Sequence, residues 1–178
     1  MKTRKLLFTM IAVMTMMFGL TLTAHAEEAT KVVGVEGIGT FTVPADWTEE
    51  YIEGYGTYWF NPTKTACVAM SISGPYANGL PSIEVFAPIH KKNLESYGVT
   101  VMDWRVTKYF DHDAIDYIIS SAGNSASPVN YPVMANANFS YGHQYFVNST
   151  IMDMGCISTT VEELQTVLPI LNTYNPAQ

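Results

Sequence analysis

Apolar and polar residues alternate with period two along most of the chain, and the spacing lengthens to a helical one in two places. Val32–Val35 and Ile38–Val43 read as a first strand region bent by glycines at 34, 37 and 39. Pro44 ends it, because proline cannot donate to a ladder, and Trp47 is expected to turn its indole into the core at that corner. Thr57–Asn61 predicts an aromatic strand stopped by Pro62. In Ala66–Ser73, Val68, Met70 and Ile72 face one way and Cys67, Ala69, Ser71 and Ser73 the other, until Gly74-Pro75 closes the run. Val99–Phe110 alternates again, with Met102, Trp104 and Val106 on one face. Asp111-His112-Asp113 turns the chain and Ala114–Ser121 returns it. Gly123–Pro132, rich in Ser, Asn, Gly and Pro, reads as a loop. Beyond it, Val133, Ala135, Ala137 and Phe139 predict a strand, a turn at Tyr141-Gly142-His143 and a last strand over Gln144–Met154.

The two helical stretches are amphipathic. Stepping about 100° per residue from Pro81 to Tyr97 puts Ile83, Phe86, Ile89, Leu94 and Tyr97 on one arc, with Ser82 as N-cap and Gly98 as the stop. Pro88 lies on the polar side, which predicts a kink or a start as late as Ala87. Thr160-Val161-Glu162-Glu163 is a capping box opening a closing helix whose arc holds Val161, Leu164, Val167, Leu168, Leu171 and Tyr174. Three strands, a helix, four hairpin-linked strands and a final helix predict an α+β fold, a largely antiparallel sheet of about six to seven strands packed with helices as a sandwich.

The first 26 residues change the picture of where the protein works. Lys2, Arg4 and Lys5, an uncharged run from Leu6 to Leu22, and Ala24-His25-Ala26 are the three parts of a secretory signal peptide cut after Ala26. The run is shorter than the roughly 20 residues of a stable membrane span, so no lasting anchor is expected. The predicted organisation is a signal peptide over 1–26 and one domain over 27–178, periplasmic or extracellular. That domain carries six Lys and Arg against sixteen Asp and Glu, a formal charge of −10. Such a surface repels nucleic-acid phosphates and anionic lipid headgroups.

Candidate chemistry is sparse. Asp111, His112, Asp113 and Asp116 could supply ligands to a hard cation, but the loop has neither the length nor the glycine of a calcium motif, and a solvated hairpin turn accounts for it; no metal is expected. His90 projects onto the apolar arc of its helix, as a proton-sensitive group or as a core histidine bonded to a carbonyl. There is no Gly-x-Ser-x-Gly and no cofactor motif. Tyr51, Tyr55, Tyr58 and Trp59 are more aromatics than one strand buries on one face, so part of this cluster is expected at the surface as a site for protein, peptide or glycan. Cys67 and Cys156, the two cysteines of an exported chain, are candidates for a disulfide if the last strand folds back beside Ala66–Ser73.

The Phe41-x-Val43-Pro44-x-x-Trp47 corner, the strand ending Phe60-Asn61-Pro62, Ser82 opening a helix, the Tyr97-Gly98-Val99 joint and the Glu162-Glu163-Leu164 closing helix resemble the PsbP-like and DcrB-like proteins. The resemblance implies an α-β-α sandwich with a binding or assembly role and brings no catalytic residues with it. The expected function is an exported, non-catalytic binding or accessory protein of the bacterial envelope; an envelope hydrolase is the alternative.

Overall fold

The computed structural model describes residues 29–121, 134 and 136–177. The predicted signal peptide over 1–26, the loop predicted over 123–132, Val133 and Ala135 lie outside the described residues. β1 (Thr30–Val35) and β2 (Gly39–Pro44) pair as an antiparallel hairpin, and β10 (Asn175–Pro176) adds to the free side of β2 as a small third strand. The main sheet is made of β3 (Thr48–Ile52), β4 (Gly56–Phe60), β5 (Ala66–Ser73), β6 (Thr100–Tyr109), β7 (His112–Ser120), β8 (Phe139–Val147) and β9 (Thr150–Ser158). Their order across the sheet is β3-β4-β5-β9-β8-β7-β6, with every neighbouring pair antiparallel. Helix α1 (Ile83–Ser96) lies between β5 and β6 in the chain, and α2 (Val161–Leu171) follows β9.

Facing residues of adjacent strands share a face, so the register sorts the side chains into two layers. One face carries Trp59, Val68, Met70, Met154 and Cys156, buried with Phe41 and Val43 of β2 and Leu164 and Val167 of α2. The other carries Ile115, Tyr117 and Ile119 beneath Ile83, Ala87 and Leu94 of α1. Farther along that face, Tyr58, Phe60 and Cys67 pack with Met134 and Ala137. The corner folds as expected. The Trp47 amide donates to the Pro44 carbonyl at 3.2 Å, the Lys31 ammonium donates to the Trp47 carbonyl, and the indole is buried.

Five details differ from the sequence reading. α1 starts at Ile83 rather than near Ala87: Pro88 and Glu84, the residue whose carbonyl loses its helical donor, are both exposed, so the missing bond costs little. Its buried arc is narrower, because Ile89 and Tyr97 are exposed. Thr48–Ile52, to which the sequence assigned no element, is a strand paired with β4 at the edge of the described sheet. β8 runs straight through Tyr141-Gly142-His143, and the turn falls at Asn148, whose φ of 55° is left-handed. Gly142 is a close-approach glycine: a Cβ there would collide with the Tyr117 ring. Finally, a bulge between Val101 and Asp103 leaves Met102 exposed and off the Trp104 face.

Candidate functional site

One row of residues crosses the helix α1 face of the sheet in continuous register. Tyr58 faces Ala69, Ala69 faces Gly155, Gly155 faces Gly142, Gly142 faces Tyr117 and Tyr117 faces Trp104. Three small residues on the three central strands stand between two tyrosines, and the result is a trough of about 260 Å³. Tyr117 is fixed over Gly142 by stacking on Trp104, with centroids 5.7 Å apart and planes at 21°. Tyr55 and Gly54, from the β3–β4 turn, form part of the rim.

The rows on either side make the trough amphipathic. On one side Asp153 faces Ser71 and Gln144; on the other Ile157 faces Cys67 and Ser140, which in turn faces Ile119. Gln144 donates through Nε2 to Asp153 Oδ2 at 2.8 Å, and its Oε1 is buried without a hydrogen-bond partner. Burial pushes the Asp153 carboxyl up to about 6, against the lowering effects of the Gln144 bond and the charge of His143 behind the sheet. Burial likewise raises the Tyr58 and Tyr117 phenols, with Asp153 adding to both shifts, and all three side chains line the trough. Sequence reasoning did not single out Asp153, Gly142 or Gly155. The available signal was period two itself: Ile151, Asp153, Gly155 and Ile157 share a face, so an acid stands in an otherwise uncharged row.

The predicted aromatic surface divides. Tyr51 is 73% exposed and Tyr55 43%, whereas Tyr58 and Trp59 are buried. Alternation is the reason, since β4 is covered on both faces: Tyr58 stacks with Phe60 under Met134 and Ala137, while Trp59 meets Phe41 edge-on at 6.5 Å and donates through Nε1 to Glu49. Tyr51, Ile72 and Val35 line a groove of about 210 Å³ on the α2 side, and Tyr55 borders this groove as well as the trough.

Cys67 and Cys156 are free, buried thiols. The strands that hold them are neighbours, as the expected bridge required, but Val68 faces Cys156 and Cys67 faces Ile157. The two sulfurs therefore lie on opposite faces of the sheet, where no disulfide can join them.

The acidic turn does not converge either. Phe110 and Asp111 take positive φ as a tight hairpin, and Asp113 pairs with Lys108 at 2.5 Å. Asp116 points to the other face, where its Oδ1 receives the Tyr141 hydroxyl at 2.7 Å and meets His143 Nδ1 at 2.6 Å. Burial pushes Asp116 up, but these two bonds outweigh it and hold the carboxyl below the usual range. His143 is enclosed by the Tyr109 and Tyr145 rings, so aromatic faces flank this pair. His90 lies among Phe86, Trp104 and Tyr117, its Nε2 buried without a partner, and burial keeps the ring neutral by lowering its pKa. The carbonyl partner considered for it is not formed by that nitrogen.

No protein-family model matches the sequence, and no curated protein matches it. Solved structures do. The solution structure of cyanobacterial PsbP (CyanoP) from Synechocystis sp. PCC 6803 aligns with a TM-score of 0.57 at 8% identity, over 89% of this chain and 99% of that one. The Ran-binding protein Mog1p of Saccharomyces cerevisiae aligns with a TM-score of 0.51 at 6% identity, over 84% and 96%. The chain thus shares the α-β-α sandwich fold of cyanobacterial PsbP and of Mog1p.

Proposed function

We propose that this is an exported, non-catalytic accessory protein of the bacterial envelope that docks a segment of a partner protein on the β3–β4 hairpin. The observation that carries the reading is the exposure of Tyr51, Tyr55 and Ile72 around one groove. Large side chains gathered in one exposed patch at the rim of a concavity are a mark of recognition surfaces. β3 is the outer strand of the sheet, so its open edge is available for main-chain pairing with an extended segment. Glu49 and Glu53 beside it, with the acidic balance of the whole domain, favour a basic segment. One structural neighbour is itself a Ran-binding protein, which agrees with a protein partner for this fold. Export rests on the tripartite N-terminus and the Ala-x-Ala site.

The test is capture from an envelope extract with wild-type protein and a Tyr51→Ala/Tyr55→Ala variant side by side. A partner held by the wild type and lost by the variant is the expected result; equal capture by both would refute the docking surface. N-terminal sequencing of the released protein should begin at Glu27.

A further inference from the structure

We propose that the trough between Tyr58 and Tyr117 binds a protonated alkylammonium group, with the charge on Asp153 and the carbon chain lying over Gly155 toward Ile157. The proposal does not rest on hairpin docking, since it uses the opposite face of the sheet and a second concavity that meets the groove only at Gly54, Tyr55 and Ser71.

Three features point to this ligand chemistry. First, the floor is made by absence of side chains. Ala69, Gly155 and Gly142 lie in one cross-strand row, and a Cβ at Gly155 would stand 2.6 Å from the Tyr141 carbonyl oxygen, so the hollow is built into the backbone spacing. Second, its ends differ in polarity. Asp153 and Ser71 stand on one side and Ile157 and Ile119 on the other, an arrangement that suits a ligand with one charged end and one apolar end. Third, the charged end is a carboxylate flanked by tyrosine rings, the combination that attracts ammonium groups electrostatically at close range. The volume is just below the roughly 300–1,000 Å³ of drug-sized ligand pockets, which limits the guest to a short chain.

The surroundings of Asp153 also agree in sign. Ser71 of β5 and Gln144 of β8 face it in register, Tyr58 of β4 and Tyr117 of β7 stand in the next row, Tyr55 is at the rim and His143 lies behind the sheet. Lys and Arg are absent from that set, so the carboxyl is raised rather than neutralised by a resident cation. An incoming ammonium supplies the missing counter-charge. The ammonium belongs either to a free short-chain amine or to a lysine side chain of a bound protein.

The experiment is isothermal titration of the protein expressed from its full-length sequence with n-butylammonium at pH 7.5. n-Butanol and butyrate serve as uncharged and anionic controls. The ammonium should bind at least roughly tenfold more tightly than either control, and its affinity should fall as pH drops through about 6, approaching about tenfold per unit. Asp153→Asn keeps the size and the acceptor for Gln144 and should weaken binding roughly tenfold or more. Ala69→Leu, which fills the floor and leaves the carboxylate, should abolish it. A short peptide with one lysine, against its acetyl-lysine counterpart, separates the sources. Tighter binding of the lysine peptide than of n-butylammonium assigns the site to a partner's side chain, and the reverse assigns it to a free amine. Equal binding of n-butanol, undiminished affinity in Asp153→Asn, or no heat with any ammonium would overturn the proposal, whatever the capture experiment on the hairpin shows.

Discussion

Asp153→Asn is expected to stabilise the protein at neutral pH, an unusual outcome for a substitution beside the core. The folded carboxyl titrates at about 6, against 3.8 as the ordinary value. In that window the folded state binds the proton more tightly than the unfolded chain does, so stability falls as pH rises from about 4 to 6 and stays lowered above it. A shift of about two units corresponds to a ceiling near 3 kcal/mol at about 1.4 kcal/mol per unit. Asp153 keeps an intermediate exposure and asparagine has its own desolvation cost, so about 1–2 kcal/mol is the expected gain. Urea unfolding of both proteins at pH 4, 5, 6 and 7.5 measures it. The difference between variant and wild type is the quantity to follow, because His90 acts with the opposite sign: its lowered pKa makes the folded state lose stability as pH falls below about 6.5, and this cancels in the difference. The curves should converge near pH 4 and separate by pH 7.5. A variant no more stable than wild type at pH 7.5, or a difference independent of pH, would refute the assignment of a raised carboxyl.

Other expectations follow from single contacts. Trp47→Ala should cost about 3–5 kcal/mol in urea unfolding, since the indole is buried at the corner between the two sheets; a loss under about 1 kcal/mol would remove that corner from the fold's main supports. Gly142→Ala should destabilise by about 1–3 kcal/mol by pushing the Tyr117 ring off its seat, with a change in near-ultraviolet circular dichroism from the Trp104 stack; an unchanged spectrum would contradict the close approach. Tyr141→Phe removes the hydroxyl bond to Asp116 and should cost about 1–3 kcal/mol at neutral pH, measured by denaturant midpoint. Protein prepared without reductant should titrate as two thiols per chain after unfolding and resist thiol reagents when native; an intact mass lower by about two hydrogens, marking a bridge, would contradict the opposed faces.

What could be read from sequence was set by how local the determining contacts are. Val68, Met70 and Ile72, the capping box at Thr160 and the proline corner are short-range patterns, and each appears in the fold where the pattern puts it. The α2 cap illustrates this: Thr160 Oγ1 accepts the Glu163 amide at 3.2 Å. Gly142 was misread as a turn because a glycine that yields room to a ring on another strand looks, in sequence, like one that bends the chain. The trough was invisible for a related reason. Tyr58, Ala69, Gly155, Gly142 and Tyr117 come from five different strands and meet through register alone. Cys67 and Cys156 show the same limit from the other side, since strand adjacency was deducible while the one-residue offset that sets the faces was not.

The pairing of β5 with β9 also fixes an order of events during synthesis. β3, β4 and β5 form one meander and β6 to β9 another, each complete through contacts between successive strands, and they join along this single seam. Until the ribosome has released Ser158, which faces Ala66, the first meander presents the whole of β5 as an unpaired edge, a template for misassembly with other chains. Zipping the seam then closes the largest loop in the sheet, the kind of late, distant contact that slows folding. A ribosome stall or a stop codon between β8 and β9 would therefore release two sticky half-sheets, and nascent chains of this protein should depend on chaperones most heavily just before their last few dozen residues emerge.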